Sequence, residues 1–169
     1  MFTAALLIIG AYLWASIPTA YLVGRYAKGI DIRDYGSGNV GATNVMTHVG
    51  RWTGFLLGAF DCLAKGALPV VLGRLLDQSL AVQASAGLAG VAGHNWSIYL
   101  RFTGGRGVAT AIGVLIGLAM WWECIILTGV VGIVGRLMFR DTGLWTFISM
   151  LALPLLAFLF GRPPEILYM

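Results

Sequence analysis

Apolar runs long enough to cross a bilayer recur along this chain and leave room for little else. Residues 3–24 form the first, close to the ~20 residues a helix needs for one crossing. Residues 52–72 form the second, broken by Asp61, Lys65 and Pro69, and residues 80–100 the third. After the glycine-rich stretch 101–110, a long run reaches Gly135, and 144–160 is the last. Only 11% of residues are charged, against about 25% in soluble domains. The expectation is an all-α integral membrane protein, one membrane domain over residues 1–169. It is a multi-span helical bundle of about 5–6 helices, some partial, joined by polar glycine-rich loops.

Charge sets an orientation. No cation precedes the first run, Pro18 interrupts it, and Arg25 and Lys28 follow it. Those flanks argue against a secretory signal and for an outside N-terminus. The loop 25–51, with Arg25, Lys28, Arg33 and Arg51, then faces inside. Residues 73–79 read as a short turn holding Arg74 and Asp77. As a single helix, the run ending at Gly135 would put Arg136 and Arg140 outside, against the positive-inside rule. Two short helices meeting near Met120–Trp122 return both inside. Trp121 and Trp122 favour the water–lipid boundary, so two helices are expected, at least one of them tilted or partial. Glu123 beside them is expected at the same boundary. The net charge of +4 forms no basic stripe, so nucleic acid is not an expected partner. Cys62 and Cys124 lie far apart in apolar runs. With no metal-ligand cluster and no cofactor motif, neither a metal nor a cofactor is expected.

Four constellations can carry chemistry. The first is "YGSGNVGATN", 35–44, where Ser37, Asn39, Thr43 and Asn44 both donate and accept hydrogen bonds. Such groups suit a polyhydroxy substrate; an ordinary solvated loop has the same composition. The second is "FTGGRGVATAIG", 102–113, where Gly104, Gly105 and Gly107 surround Arg106 just before an apolar helix. Converging amides, a helix start and a forked guanidinium suit phosphate oxygens. The spacing is not a Walker A loop, and a flexible turn is the alternative. The third is Asp61 with Lys65, four apart and on one helical face. They form either an internal ion pair or a site where Lys65 meets an anion and Asp61 orients it. The fourth is His94, a general base or a hydrogen-bonded structural residue. His48 reads as solvated. No serine–histidine–acid set or paired-carboxylate site is present, so an enzyme of this kind would work by positioning and charge stabilisation.

Taken together, these stretches resemble the bacterial acyl-phosphate:glycerol-3-phosphate acyltransferases of the PlsY type. "YLWASIPTAYLVGR" resembles that family's first helix, "GSGNVGATNV" its first catalytic motif, "KGALPV" its second-helix signature and "GHNWSIYLRFTGGRGVAT" its glycine-rich motif. The resemblance implies transfer of a fatty acyl group from acyl phosphate to the 1-hydroxyl of glycerol 3-phosphate. The products are lysophosphatidic acid and phosphate, in phospholipid biosynthesis. It places Ser37 and Asn39 at the reacting centre and implies substrate contacts from Thr43 and Asn44. Gly104, Gly105, Arg106 and Gly107 would hold phosphate, with help from Lys65. The implied location is the bacterial plasma membrane, multi-pass, with the active face cytosolic. Membrane lipid is the implied surrounding, and contact with an acyl-phosphate-producing enzyme stays open.

The departures from the family's pattern are specific. Arg106 stands where the family usually has lysine, Ser97 where it has proline, and Thr47 where it has arginine. The Asp61–Lys65 spacing is one residue longer, and Gly143 and Thr146 stand where serines are usual. No residue matches the family's last helix and its HxxN motif, so the chain reads as C-terminally short. Two other functions stay open: a catalytically silent membrane protein that binds glycerol phosphate or lipid phosphate, and a transporter for an organic phosphate. The transporter fits less well, because the polar loops cluster on one face instead of repeating about a pseudo-twofold.

Overall fold

The computed structural model describes residues 1–138 and 142–167, and these form helices joined by turns. Arg140, used in the charge argument, lies outside the described residues, as do the side chains at positions 136, 143 and 146. Helices α1 (Phe2–Ser16) and α2 (Thr19–Lys28) make up the first apolar run, broken where Pro18 lacks a backbone N–H. The break leaves the Ser16 and Ile17 carbonyls turned toward neighbours. The Ser97 hydroxyl donates to the first and the Lys65 ammonium to the second. A polar loop then leads through α3 (Ala42–His48) to α4 (Arg51–Leu75), whose turns widen to π-type over Asp61–Ala67.

Helix α5 (Leu80–Asn95) starts at Ser79, whose hydroxyl accepts the Val82 N–H. After the glycine-rich loop come α6 (Val108–Gly117) and α7 (Trp121–Gly129), the latter prolonged by wide turns over Val130–Met138. The expected pair of helices is therefore present. With ten residues, α6 is about 15 Å long, half a bilayer. Helices α8 (Thr142–Leu159) and α9 (Pro164–Leu167) complete the described chain. Phe2–Lys28 and Arg51–Leu75 are long and apolar enough to cross a membrane.

Small residues let these helices touch backbone to backbone, as packing between membrane helices requires. Gly93 of α5 lies against the Tyr12 carbonyl of α1, and Gly90 against the Lys65 carbonyl of α4. Gly66 of α4 meets the Thr110 carbonyl, and Gly113 of α6 meets the Cys62 carbonyl. In this arrangement α1 and α5 run side by side, with Leu7 near Gly73 and Gln83, and Ser16 near Gly93. Their ends therefore reach the middle of α4 and the start of α6 together.

Two expectations need correction. Arg74 belongs to α4, not to a turn. It lies near that helix's end, where its guanidinium donates to the Gly117 carbonyl at 2.7 Å and closes the last turn of α6. Glu123, expected at the lipid boundary, is fully buried and held by Arg162 at two points, 2.6 and 2.8 Å. A buried carboxylate needs such a partner. The arginine lies 39 positions away, so nothing local announces it.

Candidate functional site

The first polar loop is built around Asn44. Its side-chain amide donates to the carbonyls of Ile32, Tyr35 and Asn39 at 2.9, 3.0 and 3.1 Å, and the residue is buried at the start of α3. The stretch 35–44 is thus a tied Ω-like turn and not a loose solvated loop. Ser37 stands exposed at its tip between Gly36 and Gly38, both in the left-handed region with φ of 55° and 68°. Glycine adopts that conformation at little cost. The Ser37 hydroxyl accepts the Asn39 N–H at 3.4 Å, a weak bond that leaves its own proton free to donate. Thr43 is exposed, and its carbonyl accepts from the Thr47 hydroxyl at 3.0 Å. His48, expected to be solvated, is half-buried: its ring faces Tyr35 and its Nδ1 lies 3.2 Å from the Asn44 carbonyl.

The glycine-rich loop leaves α5 through a strained turn, with Arg101 and Phe102 both at positive φ. It then lies on the end of α5. The Gly105 N–H donates to the His94 carbonyl at 3.0 Å, so that amide is not available to a ligand. A methyl group at Gly104 would overlap the His94 carbonyl, and one at Gly105 the His94 ring. Gly107, at φ 70°, turns the chain into α6, whose start carries no side-chain cap. The first-turn amides of α6 therefore have no side-chain acceptor of their own, and the neighbouring Arg106 is exposed. An uncapped helix start next to a guanidinium is an anion-binding arrangement.

Behind the loop lies a buried polar network. The Lys65 ammonium donates to the Ile17 carbonyl at 2.7 Å, to the Thr19 hydroxyl at 2.9 Å and to Asp61 Oδ1 at 3.1 Å. Its three N–H groups are thereby engaged, and the side chain is 2% exposed. The expectation that Lys65 meets an anionic substrate gives way to the other reading, an internal ion pair, because no donor is left over. Asp61 also accepts from the Thr19 hydroxyl at 3.2 Å and lies 3.8 Å from His94 Nδ1. That nitrogen makes no hydrogen bond among the described residues.

A cavity of about 10 Å³, roughly one water, lies where these pieces meet. Lys65, His94, Thr19, Val40, Gly104 and Gly105 all line it. Val40, three residues after Ser37, thus brings the first loop against the second. Val40 and Gly105 share that lining, while Ser37 lies three residues before Val40 at the exposed tip of its loop. Thr47, in place of the family's arginine, is bonded within α3 and supplies no charge. Sequence reasoning overlooked Thr19 and Asn95, whose side-chain oxygen lies over Gly107. Pro18 was the available signal for Thr19: a proline inside a span leaves carbonyls that something must satisfy.

The first loop is anchored at its start by Asp31. Its carboxylate accepts from Arg33 at 2.6 and 2.9 Å, with Arg25 at 3.9 Å. The Arg33 side-chain hydrogen bonds hold the carboxyl at about 2, down from 3.8. A depressed carboxyl stabilises the fold above its unfolded value, and that contribution is lost as pH falls toward about 2. Asp31→Asn should therefore melt below the parent at pH 5 and converge with it as pH falls from 4 to 2. The effect is small, because Arg33 is 40% exposed and water screens the pair. Thermal unfolding across that range checks it; a gap that stays constant with pH would contradict it.

Comparison with known proteins agrees with the all-helical fold. A family profile described as Glycerol-3-phosphate acyltransferase matches residues 5–169. Glycerol-3-phosphate acyltransferase 2 of Moorella thermoacetica is 44% identical over 167 residues, covering 96% of this chain and 82% of its own. A crystal structure of PlsY, an integral membrane glycerol 3-phosphate acyltransferase in its glycerol 3-phosphate form, superposes with a TM-score of 0.87. It is 33% identical and the match covers 98% of this chain and 82% of that one. The lysophosphatidic acid form of the same enzyme gives a TM-score of 0.84 at 33% identity, covering 98% and 81%.

Proposed function

The chain belongs to the glycerol-3-phosphate acyltransferase family, and from that membership we propose how its two polar loops divide the work. It is an integral membrane acyltransferase that transfers an acyl group to glycerol 3-phosphate in phospholipid synthesis. In this proposal the donor is a fatty acyl phosphate, and residues 1–169 form one multi-pass membrane domain with its polar loops on the cytosolic face.

The glycerol phosphate headgroup sits at the start of α6. Arg106 forks onto two phosphate oxygens, and the amides of Gly107 and the first turn of α6 meet the rest. Gly104 and Gly105 shape the loop that carries them. The Ser37 loop holds the reacting end, with Asn39, Thr43 and the outer face of the Asn44 turn around the glycerol hydroxyls. The 1-hydroxyl oxygen attacks the acyl carbonyl carbon as the bond from that carbon to the phosphate oxygen breaks. The hydroxyl proton passes to the departing phosphate, so no protein base is required. Ser37 donates to the oxyanion that develops on the carbonyl. Catalysis is then positioning and charge stabilisation, as the lack of a recognisable triad led one to expect.

The observation that carries this reading is the exposed Arg106 beside the uncapped start of α6, on a loop whose Gly104 and Gly105 share a cavity lining with Val40 of the Ser37 loop. The experiment is direct. Purified protein with palmitoyl phosphate and labelled glycerol 3-phosphate should form lysophosphatidic acid and phosphate. Saturable binding without product would mean a silent relative, and flux into sealed vesicles without acylation would mean a transporter. Arg106→Met should raise KM for glycerol 3-phosphate by about 10-fold or more, the worth of a charge-assisted bidentate contact. The KM for palmitoyl phosphate should change far less. Equal effects on both would remove Arg106 from the headgroup site.

A further inference from the structure

The glycines of the second loop are packed against something, and that support has its own chemistry. His94 and Asn95 end α5 and underlie the loop through three contacts, at Gly105 and Gly107. The His94 carbonyl accepts the Gly105 N–H, the His94 ring fills the space a Gly105 side chain would need, and Asn95 occupies the space beside Gly107. His94 is itself backed by the Asp61 carboxylate, 3.8 Å away, which Lys65 and Thr19 hold in place. Lys65 in turn is anchored on the Ile17 carbonyl at the α1–α2 break. An ionisable network inside a membrane bundle is costly and persists where it serves a site.

We propose that His94, braced by the Asp61–Lys65 pair, is a positioning residue that sets the height of the glycine-rich loop and so controls affinity for the phosphate of glycerol 3-phosphate. This rests on the reading that the loop holds phosphate. His94 acts through Gly105 and does not touch substrate. Because Lys65 ties His94's support to the α1–α2 break, a change at any member of the network displaces the loop amides and Arg106 together. The network packs under the glycine-rich loop, so KM for the acyl donor should not change. Binding of glycerol 3-phosphate is therefore sensitive to the network, and turnover at saturation is much less so. Arrangement of a first contact by a rigid second layer is a general requirement of precise sites.

A double-mutant cycle tests this on the full chain in detergent, reading KM and kcat for glycerol 3-phosphate at saturating palmitoyl phosphate. Gly105→Ala should raise KM by about 10-fold or more, since the new methyl meets the His94 ring. His94→Ala should raise KM several-fold with kcat nearly kept. The double variant should be no worse than Gly105→Ala alone, because removing the ring makes room for the methyl. His94→Gln, which keeps bulk and a polar end, should fall between parent and His94→Ala. It also supplies the measurement if the alanine variant does not fold. Lys65→Met should raise KM for glycerol 3-phosphate while leaving KM for palmitoyl phosphate unchanged. If Gly105→Ala raises KM and the two effects simply multiply, the positioning role is overturned and the phosphate loop stands. If Gly105→Ala leaves KM unchanged, the phosphate loop itself is wrong and the inference falls with it. Losses of kcat that match lost folded protein, at constant KM, would reduce His94 to a structural residue.

Discussion

Ser37→Ala should reduce turnover by about 10²-fold or more, the loss typical of removing one donor from a preorganised oxyanion site. The fold should survive. Ser37 is exposed, and its hydroxyl makes one weak contact within the loop, the 3.4 Å acceptance from Asn39. The architecture of that loop resides in Asn44, whose amide ties three carbonyls, and in the left-handed Gly36 and Gly38. A methyl in place of the hydroxyl leaves those contacts intact. The expected signature is a fall in kcat, with unchanged thermal unfolding and little change in KM for glycerol 3-phosphate, whose phosphate is assigned to Arg106 in the proposed site. Ser37→Thr keeps the hydroxyl and should retain part of the rate. A fully active alanine variant would remove Ser37 from the reacting centre. A variant that loses activity together with thermal stability would make it structural.

Gly113→Ala should be the most destabilising single methyl in the bundle. A Cβ there would overlap the Cys62 carbonyl and lie 2.9 Å from the Ala67 nitrogen, both backbone atoms of α4. Backbone cannot rotate aside as a flexible side chain can, so α6 must move away from α4. The cost is about 3 kcal/mol or more, at the upper end for overpacking. The movement also displaces the start of α6, so binding at the proposed phosphate site should weaken in whatever protein remains folded. Gly129→Ala is the control: among the described residues nothing lies within 4 Å of its added methyl. In mid-helix, alanine there should be neutral or stabilising by up to ~1 kcal/mol. Unfolding temperatures in one detergent compare the two. A Gly113→Ala protein that melts with the parent would mean that α4 and α6 are not in backbone contact.

The second prediction depends on a glycine whose role the chain alone does not disclose. The abundance of glycine was visible, and two uses were open: close helix packing and ligand-holding loops. Gly66, Gly90, Gly93 and Gly113 serve the first. Gly104 and Gly105 look like the second, yet their lack of a side chain is needed equally to lie on His94. Only coordinates separate clearance for a ligand from clearance for a neighbouring helix. Lys65 shows the same limit. Its spacing from Asp61 indicated an ion pair, but whether a donor remained for substrate depended on Ile17 and Thr19, 48 and 46 residues away. Glu123 was legible as a charge near tryptophans, while its partner Arg162 came from a distant turn.

The order of apolar runs, the break at Pro18, the two short helices after the glycine-rich loop and the two polar motifs are properties of local sequence. Hydropathy, charge flanks and turn residues act over one or two helical turns, so they can be read in one dimension. Tertiary structure alone decided which carbonyls the Pro18 break offers, which groups occupy them, and that Lys65 faces inward. Satisfying every buried polar group is a condition on the whole bundle. Partners that meet it are chosen by where helices pack, and no spacing along the chain records that choice.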